Sequence, residues 1–218
     1  MSKIHLFLLS LLALILSTSC TIEQTIDYRA DMSGNNKVII KYGGVLEQMS
    51  DLVGDSTGFD KEMDMSEFMG SLKGTFTGIS GIGNLEVINK VEDKIMGFSF
   101  DFRDNKALNL AMAEYLKDEA SPGKKKKTPK NYKTKKKALI LNFDQGNLGS
   151  LSEGLGDPTM AAMLGLFDYS LTIMLPRSIK SVSNPLYVVS EDRKSLSVEL
   201  SFEDLSGGNE DLSVKIKW

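Results

Sequence analysis

The 218-residue chain predicts an α+β fold: a mainly antiparallel sheet of about seven to eight strands with three to four helices packed on one face. Three observations predict it. Apolar residues alternate with a period of two near both ends of the chain, stripes at helical spacing lie between those regions, and turn residues join neighbouring strands without a regular strand-helix-strand rhythm. No internal repeat of fixed period is present.

The elements follow in order. Ile26, Tyr28, Ala30 and Met32 alternate along 25–32, and Ser33, Gly34, Asn35 and Asn36 turn the chain into a second strand over 37–42, which makes a hairpin. Helices are predicted over 45–53 and 60–72, the second with Met65, Phe68, Met69 and Leu72 on one stripe. Gly74, Gly78, Gly81 and Gly83 follow without the Lys-Ser or Lys-Thr of a phosphate-binding loop, so this stretch reads as a connector. A second hairpin spans 85–91 and 95–103, its inner face carrying Met96, Phe98, Phe100 and Phe102. Asp104 is placed to cap a third helix bearing Leu108, Ala111, Met112, Tyr115 and Leu116, which Ser121, Pro122 and Gly123 end. Beyond a basic loop over 121–137, residues 138–144 read as a strand, and Asp157 with Pro158 opens a helix striped by Met160, Met163, Leu164 and Phe167. A C-terminal meander closes the fold: Tyr169, Leu171, Ile173 and Leu175, then Leu196, Val198, Leu200 and Phe202, then Leu212, Val214, Ile216 and Trp218. A chain ending this way resembles the closing strand of an outer-membrane barrel, but the short strands and interspersed helices argue against one.

The N-terminus supplies the address. Lys3 precedes a short apolar run, Leu6 to Leu16, broken by Ser10 and ending in Ser17, Thr18, Ser19 and Cys20. The run is shorter than the roughly 20 residues a membrane-crossing helix needs, and small residues before a cleavage point mark an export signal. It resembles a lipoprotein signal, cut before a cysteine that is then acylated, although Ser17 stands where the commonest version of the motif has Leu. A simple secretory signal is the other reading. Cys20 is the only cysteine, so no intramolecular disulfide is open to it, and acylation would protect an otherwise lone exported thiol. The predicted organisation is a signal over 1–19 and a single α+β periplasmic domain over 20–218.

What the composition excludes is equally informative. His5, the only histidine, lies in the signal. The mature chain therefore lacks Ser-His-Asp and Cys-His systems, thiol redox chemistry and the usual His/Cys metal ligands. No catalytic residues, metal ligands or cofactors are predicted. The acidic cluster Asp60, Glu62, Asp64 and Glu67 lacks the spacing of a calcium loop and reads as a helix start favoured by the macrodipole.

Charge is strongly asymmetric. Of 26 basic and 29 acidic residues, nine lysines fall between Lys124 and Lys137 with no acid among them. The set is Lys124, Lys125, Lys126, Lys127, Lys130, Lys133, Lys135, Lys136 and Lys137, a candidate contact for anionic lipid headgroups, although charge runs are more often a solvated loop, here on an acidic body. Nucleic acid is not an expected partner, since only Tyr132 interleaves the run. A second candidate is a hydrophobic groove formed by Met65, Phe68, Met69, Met112, Met160 and Met163, because thioethers adapt to irregular greasy ligands as readily as they fill cores.

Ser17 to Cys20 followed at once by a strand, the Ser33-Gly34-Asn35-Asn36 turn, and Tyr169 to Leu175 with Pro176 and Arg177 resemble small lipoproteins of Bacteroidota. The likeness implies an envelope location and a non-enzymatic default, and transfers no functional residues. Thr21 after the cysteine favours the outer membrane facing the periplasm. The expected function is a membrane-anchored, non-catalytic binding or accessory module for a lipid or other hydrophobic ligand; an assembly partner of an envelope complex is the alternative, and a carboxylate-based enzyme the third.

Overall fold

Alternation of buried and less buried side chains along several strands builds two sheets over one core. The computed structural model describes residues 20–43, 70, 74–115, 131–142, 167–201, 204 and 211–218. Strands β1 (Cys20–Tyr28), β2 (Gly34–Lys41), β3 (Ile82–Lys90), β4 (Ile95–Phe102), β7 (Phe167–Met174), β9 (Val188–Val189) and β10 (Ser195–Ser201) form a seven-stranded sheet in the order β3-β4-β2-β1-β7-β10-β9. Strands β5 (Tyr132–Lys135), β6 (Ala138–Leu141), β8 (Ser181–Val182) and β11 (Val214–Lys217) form a second, in the order β5-β6-β11-β8. Helix α1 (Asn105–Tyr115) lies against β3, β4 and β5.

Both predicted hairpins form, but the turn of the first is displaced: Gly34, Asn35 and Asn36, expected as turn, begin β2, while Ala30 and Met32, expected on a strand, lie in the turn. β1 pairs antiparallel with β2 across a turn at 29–33, and β3 with β4 across a turn at 91–94. Gln24, Ile26 and Tyr28 face inward from β1, and Phe98, Phe100 and Phe102 from β4. Gly97 sits on β4 where a Cβ would run into the Val38 carbonyl oxygen, so close approach of β2 requires glycine there.

The departures from expectation are instructive. The protein is sheet-dominated, with eleven described strands rather than seven or eight in one sheet. The large sheet is mixed, because β1 and β7 run parallel, pairing Cys20 with Phe167 through Asp27 with Met174. The predicted meander does not form: β7 and β10 pair antiparallel, but β11 leaves for the second sheet and pairs with β6 and β8. Three to four helices on one face are not part of the described architecture, which holds α1 and a helical turn at 74–77. The predicted helices over 45–53 and 157–167 and most of that over 60–72 lie outside the described residues, except that Phe167, expected on the last helix's stripe, instead opens β7. The loop predicted over 121–137 ends in β5, where Tyr132 is buried and Lys133, Thr134 and Lys135 are exposed. No helix among the described residues is long and apolar enough to cross a membrane.

The two sheets share their interior. Ile26, Phe100, Leu171, Ile173 and Leu196 from the large sheet belong to one apolar cluster with Leu139, Leu141, Val214 and Ile216 from the small one. Several buried polar groups are tied within it. The Gln24 Nε2 donates to Asn36 Oδ1 at 2.7 Å and approaches Met112 Sδ at 3.9 Å, while the Tyr169 and Tyr132 hydroxyls hydrogen-bond the same carboxamide. Asn109 clamps the backbone of Tyr132 from α1, accepting its N–H at 2.9 Å and donating to its carbonyl at 2.8 Å.

Candidate anionic-surface face

The small sheet carries lysines on one side and apolar residues on the other. β5 presents Lys133 and Lys135 outward, and β11 presents Lys215 and Lys217 outward while Val214 and Ile216 are buried. Between them β6 places buried Ala138 and half-buried Ile140 on the lysine side by register, with Leu139 and Leu141 on the other. Register places these side chains in two rows: Lys133, Ile140 and Lys215 in one, Lys135, Ala138 and Lys217 in the other. Lys136 and Lys137 stand exposed in the β5–β6 turn, and Lys180 stands exposed just before β8, where its N–H donates to the Lys217 carbonyl at 2.8 Å.

No acid occurs in β5, β6, β8, β11 or the β5–β6 turn. None of these lysines is in an ion pair among the described residues, where the pairs are Arg29–Asp101, Lys41–Glu23 and Arg103–Asp104. A lysine face without acids is repelled by itself and attracts an extended anion, which surface lysines beside carboxylates do not.

The opposite outer surface, that of the large sheet, has another character. It exposes Ser and Thr side chains from β1, β7 and β10 together with Glu23, Asp27 and Glu199. Asp101 stands there as well, accepting hydrogen bonds from Asn84 at 2.9 Å, Asn35 at 3.1 Å and Arg29 at 3.2 Å. The Asn84 and Asn35 amides, with the Arg29 guanidinium adding to them, hold its carboxyl below the usual range. The same surface carries Lys37, Lys41 and Arg29, so its charge is mixed, whereas among charged residues the outer side of the small sheet carries lysines alone.

Of the nine predicted lysines, Lys133, Lys135, Lys136 and Lys137 join this face; Lys124, Lys125, Lys126, Lys127 and Lys130 lie outside the described residues. Lys215 and Lys217 were not among them. Their outward position follows from the alternation of Val214 and Ile216, but their neighbours follow only from the pairing of β11 with β6. Of the predicted groove, Met65, Phe68, Met69, Met160 and Met163 lie outside the described residues, and Met112 is half-buried against the core beside Gln24. The aromatic face that would floor a groove is packed: Phe76 lies 5.0 Å from Phe100 and 5.4 Å from Phe98, ring centre to ring centre. An open depression of about 340 Å³ lined by Thr75, Gly78, Ile79, Ser80, Leu110 and Glu114 contains none of the groove residues.

No family model and no curated protein matches the chain. Among solved structures it is similar to the NMR structure of the folded domain of LppM from Mycobacterium tuberculosis, at 13% identity and a TM-score of 0.43, over 92% of this chain and 90% of that one. At that level the similarity settles neither fold nor function. Cys20, the predicted lipidation site, is the first residue of β1 and pairs in register with Phe167.

Proposed function

We propose that the chain is a lipid-anchored, non-catalytic accessory module of the bacterial envelope, held at a membrane through Cys20 and meeting an anionic partner through the small sheet. The observation that carries this reading is the acid-free lysine face, joined to an export signal whose cysteine opens the first strand. Because β1 begins at Cys20, an acyl group there leaves no spacer between bilayer and folded domain. One acyl chain holds a protein only marginally, whereas several hold it durably or one chain is reinforced by a basic patch. The face supplies such a patch. The outer membrane, facing the periplasm, is the proposed location.

Metabolic labelling with a fatty acid and membrane fractionation test the anchor. The parent chain takes up label and sediments with membranes. Cys20→Ser loses the label and leaves the membrane in high salt; label retained on that variant ends the proposal.

A further inference from the structure

The spacing of the lysines bears on what the anionic partner is. Lys133 and Lys215 are separated by the β6 strand, about 10 Å at the strand spacing, and each stands about 7 Å from Lys135 or Lys217 along its own strand. The side chains between them are buried Ala138 and half-buried Ile140, which offer no hydrogen bond to a ligand. A single small anion would need several cations converging on it; here they are spread over a sheet. Such a grid matches an extended surface of separate anionic groups. Lysine, a point charge without the planar fork of arginine, sets no bidentate geometry, and the face has no arginine. It has no exposed aromatic ring on which a nucleic-acid base would stack.

We infer that the partner is the anionic headgroup layer of a phospholipid leaflet, and that Lys133, Lys135, Lys215 and Lys217 are its contact residues. This rests on the anchored reading, which brings the face to the leaflet at high effective concentration. The orientation is compatible with it. Tyr132, which begins β5, hydrogen-bonds Gln24, four residues from Cys20, whereas Thr134 accepts from Asn105, itself beside Tyr28 at the far end of β1. The row of Lys133 and Lys215 therefore lies nearer the anchored end than the row of Lys135 and Lys217. Charge, chemistry and position favour a lipid surface over an acidic protein, which would need shape-specific contacts this face does not provide.

The test uses the full chain isolated from membranes and reconstituted into vesicles of phosphatidylcholine alone or with phosphatidylglycerol, followed by amine labelling read by mass spectrometry. In phosphatidylglycerol vesicles Lys133, Lys135, Lys215 and Lys217 are expected to label about fivefold more slowly than in phosphatidylcholine. Lys37, on the large sheet, keeps its rate in both, and high salt restores the four. Equal rates in the two vesicle types overturn the inference. So does slowing that survives in the Lys215→Gln/Lys217→Gln variant at Lys37 as much as at Lys133. The anchor fails separately: a chain without lipid does not sediment with phosphatidylcholine vesicles. Added to phosphatidylglycerol vesicles, that chain must still bind about thirtyfold more tightly than the double variant for the inference to stand.

Discussion

Gln24 stands on the inner face of β1 between buried neighbours, and its carboxamide satisfies the hydroxyls of Tyr169 and Tyr132 and the Oδ1 of Asn36. Removing one partner from a buried network leaves the others to bear their desolvation unpaid. Gln24→Ala is expected to cost about 2–3 kcal/mol by chemical denaturation. The surrounding tyrosines predict a pH limit. Burial pushes the Tyr132 phenol up to about 12 and raises Tyr28 and Tyr169 well above their ordinary value of 10.0. These groups lose their protons in the unfolded chain before the folded one, so stability is full below pH 10 and falls as pH rises from there towards 12. Phenolate absorbance in a Tyr42→Phe/Tyr115→Phe background, followed beside denaturation, should show both changing together; the buried tyrosines ionising near pH 10 in a still-folded chain would contradict it. The sequence displayed Gln24 plainly but hid its role, because Tyr132 and Tyr169 are far away in the chain and a polar residue on a strand reads as outward-facing by default.

Among the elements, α1 was the most legible, since its start is written in one residue. Asp104 Oδ1 accepts the Ala107 N–H at 2.9 Å, while its carbonyl takes the Leu108 N–H at 3.1 Å, as a capping residue should. Asp104→Ala is expected to lower stability by about 1 kcal/mol, with Asp104→Ser recovering most of it in thermal denaturation. The two hairpins were legible from their local alternation, but the sequence sets the turn of the first too late, because Gly34, Asn35 and Asn36 carry turn chemistry while pairing with Tyr28, Asp27 and Ile26. β5 was not: lysine density over 133–137 suggested a solvated loop, and the one apolar contribution, Tyr132, became a strand signal only against Leu141 and the Asn109 clamp. The parallel pairing of β1 with β7 was also out of reach. Both strands show the same inward alternation, Ile26 beside Ile173, and this pattern is satisfied by either direction of pairing. Only the route of the intervening chain decides it.

At the scale of the whole molecule, two sheets over one core present surfaces of different character, the large one of mixed charge and the small one lysine-faced. The net charge of −3 conceals this, as does the clustering of nine lysines in one segment, because two further lysines arrive from the last strand of the chain. The sequence displayed the basic segment and Cys20, the cysteine proposed to be lipidated; topology joined Lys215 and Lys217 to the former and placed the latter at the first residue of β1. The most direct measurement of the account is vesicle co-sedimentation of the full chain with Lys133, Lys135, Lys215 and Lys217 all changed to Glu, with membrane insertion of the anchor blocked by Cys20→Ser in both parent and variant. The account predicts that the parent sediments with phosphatidylglycerol vesicles in low salt but not with phosphatidylcholine vesicles, and that the charge-reversed variant sediments with neither. Equal recovery of the parent with both vesicle types, or undiminished binding of the variant, would contradict it.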